Sequence, residues 1–204
     1  MDEAAKVLDA QLLKDIIADP FSPAVPSIFV AIFNALGLMP FVYTSLLLPG
    51  SRDQIPPTWP FTLASLALGF FALGPYLALR RYRPFPDAAY ASPWLTRVME
   101  SKLPALLAFL ASLYLAWLAV DGVVSAGGRE AYLSLFYSQT LPHVSSLDLG
   151  LLSLFVVDPL REDMVRRQWY SSGRLLAFLA LPVVGPCLYL LLRPTLKGEA
   201  GAEV

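Results

Sequence analysis

Cysteine is nearly absent. Cys187 is the single thiol in 204 residues, so no intrachain disulfide can form, and a metal site built on cysteine ligands is excluded. Histidine is equally scarce. His143 stands alone, which removes the two-histidine metal motifs and leaves one candidate for histidine-dependent catalysis. Charge is thin as well. Charged residues make up 15% of the chain, where a soluble domain carries about 25%. The net charge of −1 carries no signal for nucleic acid, and no basic patch has the interleaved aromatics of a nucleic-acid binder. There is no nucleophile elbow, P-loop, zincin motif or CxxC. The sequence supports no enzyme. Internal repeats and low-complexity segments are also missing.

What the chain has in excess is apolar length. Hydrophobic residues reach 56%, and they are gathered into runs. A stretch of about 20 apolar residues is what a helix needs to cross a bilayer core. Five runs qualify or come close, at 27–48, 61–79, 103–120, 141–160 and 175–192. The expected fold class is therefore all-α: an integral membrane bundle of about five transmembrane helices, preceded by an N-terminal amphipathic surface helix. Residues 1–22 hold that surface helix, 23–194 the transmembrane domain and 195–204 a polar tail. In the first segment Val7, Leu8, Leu12, Leu13, Ile16 and Ile17 recur at helical spacing. That helix lies on the membrane face or on a partner, or else packs on the protein's own loops. The N-terminus is acidic and lacks a long apolar core, unlike a signal peptide, and it is unlike an Arg- and Ser-rich transit peptide. If the protein is imported into an organelle, a leader has already been removed.

Lysines and arginines orient the layout. If all five runs cross, Lys6, Lys14, Arg80, Arg81, Arg83, Arg97, Lys102, Arg161, Arg166, Arg167 and Arg174 share the side of the N-terminus. Arg52, Arg129, Arg193 and Lys197 take the other side, a split of 11 to 4 among 15 basic residues. The positive-inside rule then puts the N-terminus on the cytoplasmic or stromal side and the C-tail opposite. Tyr82, Phe85, Tyr90 and Trp94 suit the headgroup level of the positive face. Residues 129–138 read as a short interfacial helix on the other face.

Polar and kinked positions mark the candidate sites. Pro40 removes a helix hydrogen bond and frees the carbonyl near Leu36. Asn34 needs a partner for its amide, because an unpaired polar group in lipid costs several kcal/mol. Gly37 allows a backbone or a flat ligand to come close. The kink either shapes a cofactor or ion site or serves packing, and packing is the simpler reading. Ala108, Ser112 and Ala116, and Ser65 and Gly69, form small-residue seams. Gly74-Pro75 and Gly185-Pro186 give two more kinks. Asp148 lies within the fourth run, and an ionisable group there is a functional-site hypothesis by default. It relays protons, binds a cation, pairs with a polar group on another helix, or sits shallower than drawn. Asp158 and Arg161 fall on one helical face and read as a structural pair. His143 is placed to hold the magnesium of a chlorophyll or simply to face water. Asn34 is a second candidate: it serves as a magnesium ligand, or its carbonyl bonds a pigment through water. Aromatics, at 12% of the chain, line a flat macrocycle well.

The stretch "FNALGLMPFVYTSLLLPGSRDQIPPTWPFTLASLALGFFALGPYLALR" resembles an uncharacterised family of chloroplast and cyanobacterial multi-pass thylakoid membrane proteins. The elements that match are Phe33, Asn34, Gly37 and Pro40; Leu48, Pro49 and Gly50; Trp59, Pro60 and Phe61; and Pro75 and Tyr76. A second patch, "SSLDLGLLSLFVVDPLREDMVRRQW", carries Asp148, Asp158 and Arg166 in the same pattern. The resemblance implies thylakoid residence and association with photosynthetic complexes, and it supplies no activity. The Glu-x-x-Asn/His-x-Arg signature of the main light-harvesting antennae is lacking. The expectation is a non-catalytic accessory subunit, a linker bridging photosystem core and antenna and holding a few chlorophyll or carotenoid pigments. The alternatives are a small proton- or ion-coupled transporter that uses Asp148 and the broken first and fifth helices, or an assembly factor.

Overall fold

The computed structural model describes residues 3–52, 54–84 and 93–196. Phe85, Tyr90 and Lys197, named above, lie outside the described residues, as does most of the polar tail. Trp94 is described only as part of its helix. The described chain is all helical. In order it forms α1 (Glu3–Ala18), α2 (Ser27–Leu47), α3 (Thr58–Leu68), α4 (Phe70–Leu79), α5 (Pro93–Glu100), α6 (Lys102–Val124), α7 (Gly128–Ser138), α8 (Thr140–Phe155), α9 (Val157–Arg166), α10 (Ser172–Leu179) and α11 (Val184–Leu192), with a single 3₁₀ turn after α2 at Leu48–Gly50.

Three segments are long and apolar enough to cross a membrane: Ser27–Gly50, Lys102–Val124 and Thr140–Arg166. At 1.5 Å per residue each spans more than about 30 Å, the thickness of a hydrocarbon core. Their directions follow from their contacts. A Cβ on Gly122, near the end of α6, would touch Ser27 and Ile28 at the start of α2. At the other end Ser45 donates to Met99 Sδ, just ahead of α6. These two helices are antiparallel. Tyr43 donates to the carbonyl of Leu152 and Arg166 to that of Leu46, so α8–α9 runs parallel to α2. The core gathers round α2, where Met39, Val42, Tyr43 and Leu46 meet Leu73, Tyr76, Leu160 and Tyr189.

The other two apolar runs do not reach from one end of the bundle to the other. Each folds into a helical hairpin with both ends at the same end of the bundle. The run expected at 61–79 begins at Thr58 and breaks at Gly69, whose φ of 51° is a left-handed value suited to glycine. Gln54, ahead of α3, donates from Nε2 to the carbonyl of Arg81 at 2.8 Å and accepts from the Arg81 N–H at 2.9 Å. Across the hairpin the hydroxyls of Thr58 and Tyr76 meet at 2.7 Å. The run expected at 175–192 breaks after α10, where Pro182 cannot continue the helix and Val183 takes φ 64°. The arms are so close that a Cβ on Gly185 would lie 1.7 Å from the carbonyl oxygen of Phe178. Past the hairpin the chain returns, and Arg167 donates to the carbonyl of Pro194.

This corrects the side assignments. Arg193 and Pro194 lie with Arg167, not opposite it. Helix α1 docks on α8: the Asp9 carboxylate accepts from the N–H groups of Thr140 and Leu141 at 3.2 and 3.0 Å. Ile16 is buried in a second small core with Val25, Phe29 and Val30. Val7, Leu8, Leu13 and Ile17 stay exposed, so α1 rests on the protein's own helix rather than being separate from the bundle. Lys6 and Lys14 therefore sit at the end away from the arginines. Among described residues only Lys6, Lys14 and Arg129 lie there. The other 11 described basic residues, including Arg52 and Arg193, lie at the end where α2 and α9 finish. Charge counting assumed that every apolar run crosses, and a hairpin breaks that assumption.

Candidate functional site

Two places combine burial with ionisable chemistry. The first is at the arginine-rich end. Helix α9 carries Asp158, Glu162, Asp163 and Arg166 within 10 residues, and Arg167 follows. Spacings of three and four put Glu162 and Asp163 on the faces of Arg166 and Arg167. Asp163 is wholly buried. Its carboxylate accepts from Arg166 at 3.2 Å, Arg167 at 2.8 Å, Arg193 at 3.1 Å and the Tyr189 hydroxyl at 2.8 Å. Glu162 takes Arg166 at 2.7 Å and Arg80 at 2.5 Å. Arg80 also pairs with Asp158. Glu100, at the end of α5, bridges Arg167 at 2.7 Å and Arg193 at 3.0 Å. Four carboxylates thus face four guanidiniums among the described residues.

Every hairpin is tied into this network. Arg80 ends α4, Arg193 ends α11, and Arg166 and Arg167 end α9. Further donors go to chain ends, Arg166 to the carbonyl of Arg83 and Arg193 to those of Ser45 and Met99, while Arg80 Nε and Arg166 Nε are buried without a partner among the described residues. Lys102 donates to the carbonyls of Leu191 and Arg193, so the start of α6 caps the end of α11. Burial alone would lower the pKa of the Arg167 guanidinium. The Asp163 and Glu100 carboxylates outweigh burial and push it above the ordinary arginine value. Arg80 is held up in the same way by Glu162 and Asp158. Cations so placed do not titrate near neutral pH. The cluster is a clamp of matched charges.

The second place is the break at Gly69. The N–H of Phe70, first residue of α4, donates to Asp148 Oδ1 at 2.7 Å. A helix start presents unpaired N–H groups and a partial positive charge, and Asp148 answers both from a neighbouring helix. The contact is tight, because a Cβ on Gly69 would fall 1.7 Å from Asp148 Oδ2. A cavity of about 570 Å³ lies beside it, bordered by Phe33, Gly37, Ser65, Phe71, Ser145 and Asp148. Asp148 is thus buried against a backbone partner on the second hairpin arm.

The remaining expected residues are dispersed. Asn34 donates from its amide nitrogen to the carbonyls of Pro20 at 2.7 Å and Val30 at 2.9 Å, so its two N–H groups are taken by the chain's own backbone. His143 is exposed on α8, its ring 4.4 Å from that of Phe136. Neither lines the cavity beside Asp148. Asp158 pairs with Arg80 and not with Arg161. Arg161 lies over the ring of Tyr170 at 5.7 Å. Among described residues no group of three or more His, Cys, Asp or Glu side chains is placed to hold a metal ion. Sequence reading missed Glu100, Glu162, Asp163, Arg80 and Arg193 as one cluster. The local signal was present in "REDMVRR", whose acids and arginines are spaced three and four apart. Arg80 and Arg193, brought in by the hairpins, left no such signal. Comparison of the chain with protein-family models, curated proteins and solved structures finds no match.

Proposed function

We propose that this chain is a non-catalytic accessory subunit of a membrane complex, a scaffold that bridges or stabilises larger subunits. The observation that carries the reading is the clamp. Its acids and arginines are matched within the chain, which suits a rigid body more than a moving one. A second support is the outer face of α6, where Leu103, Leu107, Leu110, Trp117 and Val124 are exposed. Lipid or a partner helix covers such a face. The photosynthetic setting, between photosystem core and antenna in the thylakoid, rests on the resemblance of the two quoted stretches. Chlorophyll or carotenoid would come with that setting. His143, the chain's one imidazole, is the residue that would hold a magnesium. The positive-inside rule, applied to the folded ends, turns the arginine-rich end to the cytoplasm or stroma and the N-terminal helix to the opposite face.

One observation favours a second reading, a small ion- or proton-coupled transporter. Carriers build their sites at broken helices near mid-membrane, and Asp148 is an acid beside such a break. The substitution Asp148→Asn separates the two. For a scaffold, purification of the native complex recovers the same subunits and the same absorption spectrum, because the amide oxygen still accepts from Phe70. The loss is about 1 kcal/mol of capping and dipole stabilisation. Loss of coupled uptake in vesicles with an unchanged subunit list would establish the carrier instead.

A further inference from the structure

We propose that the groove between α2, α3 and α5 is a binding site for one acyl lipid with an anionic headgroup, taken from the leaflet at the arginine-rich end. The proposal rests on the membrane reading and is independent of the photosynthetic one. Two cavities run into each other along this groove. The outer, about 490 Å³, and the inner, about 360 Å³, share Thr44, Trp59, Thr62 and Leu95 as walls. The inner one meets the cavity beside Asp148 at Gly37 and Leu66.

Polarity changes along the groove as it does along a lipid. The mouth carries Ser51, Arg52 and Gln54. Gln54 is held by Gly50 and Arg81, so it acts as a fixed wall. The Ser51 hydroxyl oxygen is buried with no hydrogen-bond partner among the described residues. It lies beneath the surface of the mouth, so its side chain must turn outward before a headgroup oxygen can reach it. Arg52 supplies positive charge at the same level, at the end of the bundle richest in arginine. Deeper in, the groove is bordered by Phe41, Leu63, Leu66 and Met99, which offer a chain only apolar contact.

Its length fits one leaflet. Leu48 borders the mouth and Gly37 the inner end, which is about 16 Å along α2 at 1.5 Å per residue. Half of a hydrocarbon core is about 15 Å. Gly37 keeps the inner end open, since a Cβ built there meets nothing within 4 Å. Hence the glycine of the opening helix is explained by space for a ligand rather than by helix packing.

The test is native mass spectrometry of the full chain purified in mild detergent, then offered phosphatidylglycerol or phosphatidylcholine. One bound anionic lipid is expected on the unaltered chain. Gly37→Leu, whose Cβ enters open space, should lose it while keeping its circular-dichroism melt. Leu66→Trp blocks the same space from α3 and covers the case in which Gly37→Leu does not fold. Arg52→Gln should keep a lipid but lower the preference for phosphatidylglycerol about fivefold, the effect of about 1 kcal/mol per cation near the surface. The proposal is overturned by an unaltered chain that retains no lipid, by equal retention of both lipids, or by blocked variants that hold lipid as before. A pigment in the visible spectrum that displaces lipid, or a second copy of the chain in the groove, also overturns it.

Discussion

Asp163→Asn should cost the fold about 4 kcal/mol, because removing one partner from a buried ion pair strands the other charge. The side chain keeps its shape and loses only its charge. Three guanidiniums, of Arg166, Arg167 and Arg193, then face a neutral amide, and the Tyr189 hydroxyl keeps a weaker acceptor. Guanidinium is always charged in proteins, so the mismatch stays. Glu100 still holds Arg167 and Arg193, which keeps the loss finite. In detergent the melting temperature should fall by about 10 °C or more, at about 2–4 °C per kcal/mol for a chain of this size. The double variant with Arg193→Gln should cost less than the sum of the two single variants, as residues in one network do. A melt within about 2 °C of the unaltered chain would mean that Asp163 is not the centre of a clamp.

Gly69→Ala should be the second severe change, at about 3 kcal/mol. Two causes add. The backbone at φ 51°, ψ −127° is a conformation where a side chain costs about 1–3 kcal/mol. The added methyl would also sit 1.7 Å from Asp148, forcing the carboxylate off the N–H of Phe70 and forfeiting a cap worth about 1 kcal/mol. Asp148→Ala alone loses only the cap. Gly69→Ala with Asp148→Ala should therefore recover part of the loss, since the clash is gone and the backbone strain remains. Thermal unfolding of the three variants separates the terms. Equal melts for Gly69→Ala and the unaltered chain would contradict a hairpin turn at this residue.

The sequence carried the fold at one level and not at the next. Length and apolarity identified the helices of Ser27–Gly50, Lys102–Val124 and Thr140–Arg166, and the last had only a weak apolar signal. The small helix after Gly127 was legible from its polar boundary. The two hairpins were not. A run of about 19 apolar residues reads the same whether it crosses or turns back, because either way it is surrounded by apolar neighbours. Gly69 reads as a packing residue and Gly185-Pro186 as a kink, yet the chain reverses at Gly69 and at Val183 just ahead of that pair. The same ambiguity hid the clamp. "LREDMVRRQ" reads as charge at the membrane face, with Asp158 and Arg161 as a local pair, and only the returning ends of α4 and α11 bring Arg80 and Arg193 to it. Asp148 was legible as unusual for its depth, while its partner, one backbone N–H freed at a break, has no side-chain signature.

Sidedness of single cysteines tests most directly whether three segments cross and two turn back. In a Cys187→Ser background, cysteines placed at Lys14, Arg81, Arg129, Arg174 and Thr195, all exposed, are labelled in sealed vesicles with a membrane-impermeant maleimide. With two hairpins, positions 81, 174 and 195 label together from one side, and 14 and 129 label from the other. Five crossings would instead group 14, 81 and 174 against 129 and 195, and that grouping would contradict the architecture and the clamp built upon it.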